Sequence, residues 1–121
     1  MTIQRLNAAI PSCQIIIRGT DKGDFPDFAP VLVRATDSTI VVSCIPWSEG
    51  EIDLTVGSEG ELDPKEPAAW TGRIATPRRL VRVVTVEGTT IVERPVAGTT
   101  AGVRIWTNHP LVPDRIVIEL S

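Results

Sequence analysis

The chain has 121 residues, 42% of them apolar and 22% charged, and a formal net charge of −3. Those figures exclude a disordered or membranous chain and fit one domain over residues 1–121 with a core of its own. One His, two Cys, two Phe and no Tyr leave little material for acid–base catalysis, a zinc site or an aromatic nucleic-acid platform.

Val, Ile and Thr together supply 40 residues, against 9 Ala and 2 Lys. β-branched side chains are stiff and suit a pleated surface, so an all-β chain is expected. Residues 3–10 offer at most one turn of helix. Asn7 and Pro11 interrupt this N-terminal stretch, which reads poorly as a signal peptide. The first strand is expected over 12–18. Its Ile15-Ile16-Ile17 run is far short of the roughly 18 residues a membrane helix needs, and a cytoplasmic location is expected.

Strands over 31–36 and 39–45 follow, separated by Asp37-Ser38, a tight-turn signal. Residues 51–56 alternate, with Ile52, Leu54 and Val56 on one face and Glu51, Asp53 and Thr55 on the other, as in a strand with one wet face. Residues 57–69 are rich in Gly, Pro and charge and read as a loop. Short strands are expected over 70–75, 80–86, 90–94, 100–107 and 115–120, with Glu87-Gly88-Thr89 as a hairpin connection. Turn signals every 8–12 residues, with Pro at strand ends, predict a single antiparallel β-sandwich of eight or nine short strands.

Charge is unevenly spread. Residues 1–20 carry +2, residues 21–67 carry −8 and residues 68–121 carry +3. Within the acidic block, Glu49, Glu51 and Asp53 alternate and would share a strand face. Glu59, Glu61 and Asp63 alternate again in the loop that follows. Such acids fit a solvated face, a surface that docks on a basic protein, a Ca²⁺ site or a glycosidase carboxylate pair. Of these, the basic protein partner is the functional expectation. Arg78 and Arg82 are in phase and would pair with Glu93 or Glu87 across the hairpin.

Trp106 is out of phase with Val103 and Ile105, which places it outside the main core as an interface candidate. His109 lies in loop 108–114, whose Pro110 and Pro113 limit backbone freedom, so the loop is a second candidate contact. Trp47 and Trp70 either seal the ends of the core or stack on sugars. Cys13 and Cys44 read as small buried hydrophobes, able to form a disulfide only if their strands are neighbours. No catalytic residue, metal or cofactor is expected.

Pro95-Val96-Ala97-Gly98, then Val103-Arg104-Ile105-Trp106, then Pro113-Asp114-Arg115 through Leu120 resemble the bacterial competence-associated nuclease inhibitors and related immunity-type β-sandwich proteins. In that family a Pro/Gly-marked turn feeds a strand bearing an Arg and an aromatic, and a variable loop leads to the last strand. Thr99 and Thr100 stand where the family pattern has an aromatic. The resemblance implies a sandwich that binds and silences another protein, typically a basic nuclease or toxin.

The expected function is therefore that of a small bacterial protein-binding module. It would be an immunity or inhibitor protein, not an enzyme, that occludes a toxin or nuclease. It would be a monomer or homodimer that binds neither nucleic acid nor membrane. The alternatives are a carbohydrate- or ligand-binding sandwich and a self-assembling structural or adaptor subunit.

Overall fold

The computed structural model describes residues 3–21, 23–64 and 66–121. Lys22 and Lys65, both within the acidic block, lie outside the described residues. Among the described residues ten strands are present: β1 (Gln4–Ala8), β2 (Gln14–Arg18), β3 (Val33–Ala35), β4 (Thr39–Ser43), β5 (Ile52–Ser58), β6 (Trp70–Ala75), β7 (Leu80–Thr85), β8 (Thr90–Pro95), β9 (Thr100–Thr107) and β10 (Arg115–Leu120). They form two five-stranded sheets, ordered β1-β5-β10-β9-β6 and β3-β4-β2-β7-β8. The chain is an all-β sandwich.

The fold departs from the expectation at two points. The extra strand is β1, where a helical turn was the most that sequence suggested. Its burial alternates weakly, because it is an edge strand covered on one face only. It gains its ladder by pairing antiparallel with β5, Leu6 opposite Leu54, a long-range contact invisible in local pattern. The second departure is one parallel pairing, β5 with β10, in which Ile116 lies opposite Leu54 and Ile118 opposite Val56. A parallel neighbour requires a long crossover, and here the chain crosses through most of the fold between the two strands.

Alternation along the strands builds the core. Leu54 and Val56 of β5, Ile116 and Ile118 of β10 and Val103 and Ile105 of β9 point inward from the first sheet. Ile15, Ile17, Ile40, Val42, Val83 and Val92 meet them from the second. Ile16, Val41 and Val84 are in register across β4, β2 and β7 and form a smaller apolar row on the outer face of the second sheet.

The registers place seven connections at one of two ends, whereas the connections after β2 and after β5 run from one end to the other. Loops 9–13, 44–51, 86–89 and 108–114 gather at one end. Connections 36–38, 76–79 and 96–99, together with the C-terminal residue, gather at the other. The sheets are tied together at both. At the first end Ile45 N–H donates to Pro113 C=O (3.1 Å) and Trp47 N–H to Ile10 C=O (3.2 Å). At the second, Ala75 N–H donates to Asp37 C=O (2.8 Å).

Candidate functional site

Strand β5 separates the two groups of acids. It is seven residues long, about 20 Å at a strand's rise per residue. Glu49, Glu51 and Asp53 stand at its start, and Glu59 and Glu61 at its end. The first three do not share one strand face as alternation suggested. Pro46 opens a short 3-10 turn, Trp47–Glu49, and Gly50 closes it in the left-handed region (φ 129°). Only Asp53 therefore projects from the strand. Glu49, Glu51 and Asp53 are all exposed, and Asp53 lies 3.9 Å from Arg115 on the neighbouring strand.

At the far end of β5 the acids diverge further. Glu59 is exposed. Glu61 instead turns inward. Its carboxylate pairs with Arg94 and accepts the Ser58 backbone N–H (2.6 Å). Arg94, only 2% exposed, also donates to Gln4 Oε1 (3.1 Å) and Ser58 Oγ (3.0 Å). This cluster staples the edge strand β8 of one sheet to β1 and β5 of the other. The Ser58 N–H bond holds the Glu61 carboxyl below its ordinary range against the opposing effect of desolvation, with Arg94 adding to the lowering. Glu61 is a structural anchor, and its position gave no sign of this because its partner is 33 residues away.

From Glu61 the chain folds back across the outer face of the first sheet. Gly57 permits this, because a Cβ there would sit 3.0 Å from Leu62 Cγ. Trp106 does lie on that outer face, as its phase indicated. It is nevertheless 7% exposed, since its indole N–H donates to Glu66 C=O (2.8 Å) and the returning segment covers it. Arg5, Thr55, Leu62, Asp63, Trp106 and Val117 surround a pocket of about 250 Å³ there, with Asp63 on its rim. Arg104 stacks over the Trp106 ring (5.4 Å) and donates to Glu119 (Nε, 2.7 Å), a carboxylate 3% exposed.

The loop 108–114 is held from within. His109 Nδ1 accepts the backbone N–H groups of Leu111 (3.1 Å) and Val112 (3.0 Å). Asn108 Oδ1 accepts those of Asp114 (3.2 Å) and Arg115 (3.0 Å). His109 is thus exposed but occupied as a turn former. The three Trp residues do not make one stacking platform. Trp106 is covered, Trp70 leans over Gly72 and Trp47 is 61% exposed at the end that gathers loops 9–13, 44–51, 86–89 and 108–114.

The arginine pairing also differs from expectation. Arg82 lies opposite Glu93 in register but pairs with Asp21, while Glu87 accepts from Ser12 Oγ. Outward-facing Arg82 reaches the connection after β2, which no hairpin argument includes. Cys13 and Cys44 are free thiols, although their strands are neighbours and Cys44 N–H donates to Cys13 C=O (2.9 Å). Cys13 sits at positive φ (59°) in the turn before β2, outside the strand. Burial first, then the nearby Cys13, pushes the Cys44 thiol up to about 12.

Among the described residues no three His, Cys, Asp or Glu side chains are placed to hold a metal ion, and no helix is long and apolar enough to cross a membrane. No protein-family model matches the sequence, and no curated protein is similar to it in sequence. The fold, in contrast, is similar to a solved one: the crystal structure of ComJ, inhibitor of the DNA-degrading activity of NucA, from Bacillus subtilis. The TM-score is 0.70 over 97% of this chain and 93% of that one, at 10% sequence identity. The two proteins share a fold, and the one in the crystal is an enzyme inhibitor.

Proposed function

We propose that the chain is a bacterial cytoplasmic inhibitor of the immunity type, one that binds a nuclease or toxin and occludes its substrate-binding surface. The observation that carries this reading is the likeness in fold to a nuclease inhibitor along 97% of the chain. The chemistry of the surface agrees with it. Glu49, Glu51, Asp53, Glu59 and Asp63 are exposed carboxylates, and a nuclease presents cations where it grips phosphates. Carboxylates facing those cations speed association and select the partner. In this reading the chain binds protein, carries no catalytic group and folds as one domain. Trp106 serves by holding the segment that carries Asp63, and His109 by shaping loop 108–114.

The test is direct. Purified chain is titrated into DNA-degradation assays with NucA and with any toxin or nuclease encoded beside its gene. Stoichiometric inhibition that weakens with added salt is the expected result. DNA degradation unchanged at a large molar excess of the chain, for all of these enzymes, overturns the reading.

A further inference from the structure

Large apolar side chains left in water are unevenly placed. Among the described residues, Phe28 (77% exposed), Val31, Trp47, Val86, Leu111 and Val112 all lie at the end that gathers loops 44–51, 86–89 and 108–114, and Phe25 lies elsewhere, beneath Arg18. Phe28, Val31, Leu111 and Val112 surround one groove of about 270 Å³, floored by Cys13 and Cys44. Trp47 follows Ile45, which is bonded to Pro113 of the same loop cluster. Folding alone does not explain this arrangement. A chain that buries most of its Ile and Val holds these side chains out, and an exposed apolar patch of this kind marks an interaction surface.

The patch is also rigid. His109 and Asn108 together accept four backbone N–H groups of the loop that displays Leu111 and Val112. Pro11, Pro30, Pro46, Pro110 and Pro113 punctuate the surrounding segments. A surface stiffened before binding loses less entropy when it binds. Around it stand exposed Glu49, Glu51, Asp53, Glu87 and Asp114. Among the described residues the cations at this end are Arg115, close to Asp53, and Arg34, stacked over Phe28 at 5.3 Å. The rim is therefore acidic around an apolar centre, the anatomy of a protein interface with a buried anchor and a charged border.

We infer that this end of the sandwich, with Trp47, Leu111, Val112 and Phe28 at its centre, is the docking surface for a protein that offers an apolar side chain ringed by Lys and Arg. The inference rests on the inhibitor reading for its biological partner, and it separates the two acid groups. Glu49, Glu51 and Asp53 belong to the interface, whereas Glu59 and Glu61 stand about 20 Å away along β5.

The test uses the whole chain and a synthetic peptide in which a Leu-Trp pair is flanked on each side by two Arg. Amide NMR shifts on titration are expected over residues 28–31, 44–53 and 108–114, with affinity falling as NaCl rises. Trp47→Ser with Leu111→Ser should weaken binding about 30-fold or more, as loss of central anchors does, while Arg78→Gln at the other end leaves it unchanged. Both changed positions are exposed, and circular dichroism verifies the fold. Shifts confined to the other end, equal binding of a Glu-flanked peptide, or full binding by the double variant each overturn the inference. Absence of any shift at millimolar peptide does so too. If the peptide maps here but no nuclease is inhibited, the surface stands and the inhibitor reading falls. If a nuclease is inhibited equally by the double variant, the reverse holds.

Discussion

The two ends of the sandwich solve different problems with the same strands. One end is wired shut. Arg94, Glu61, Ser58 and Gln4 share a network between sheets, Asp21 holds Arg82, and Thr76 Oγ1 donates to Gly98 C=O (2.8 Å). The other end ties its backbone together with equal care yet leaves Phe28, Trp47, Leu111 and Val112 in water. The contrast teaches where stability and recognition reside. Polar groups spent on internal partners stabilise the fold and are closed to a partner. Apolar groups held out on a stiff frame add little stability and remain available for contact.

The largest expected effect comes from cutting the segment that joins the ends across the first sheet. Trp106→Ala removes the indole that lies beside Leu62 and Pro64 and its bond to Glu66, and should cost about 3–5 kcal/mol of stability, read by chemical denaturation. A loss below 1 kcal/mol would mean that the segment is held by something other than Trp106. Next is Glu61→Gln. It removes the carboxylate that pairs with the buried Arg94 guanidinium, so the melting temperature should fall further than for Glu49→Gln or Glu51→Gln. Adding Arg94→Met to Glu61→Gln should restore much of the loss, because the buried guanidinium is then gone as well. Equal melting of Glu61→Gln and Glu49→Gln would erase the distinction between the two acid groups.

Acid should act through the wired end. The Glu61 carboxyl is lower in the folded chain than in the unfolded one. Its ionised form therefore stabilises the fold above the ordinary carboxylate range. That contribution fades as pH falls through this range toward the lowered folded value. Thermal melts from pH 6 downward should show a loss that is shallower in Glu61→Gln than in the parent chain, and parallel slopes would refute the linkage. The smallest effect on stability belongs to the other end. Trp47→Ser and Leu111→Ser should change stability by no more than about 0.5 kcal/mol, as exposed substitutions do, and a larger fall would mean these side chains help close the core.

Half-buried edges and long-range partners separate what sequence reading reached from what it did not. Strands β2 to β10 were legible because strand-forming runs and alternation are local, and the turn residues lie beside the strands they end. Strand β1 was not, because Gln4-Arg5-Leu6-Asn7-Ala8 becomes a strand only by pairing with β5. The outward phase of Trp106 was legible. Its cover was not, because Glu66 comes from 40 residues away. Glu61 resembled its neighbours Glu59 and Asp63 until Arg94 was placed against it.

By itself the amino-acid sequence determined an all-β sandwich, its strand faces and a strongly acidic stretch, since each follows from residue type and spacing along a few neighbours. Only the tertiary structure decided which acids face water, which one holds a buried arginine, and that exposed apolar side chains gather at one end. Those are relations between segments far apart in the chain. Strand register and sheet order set them, and neither is written in any single window of residues.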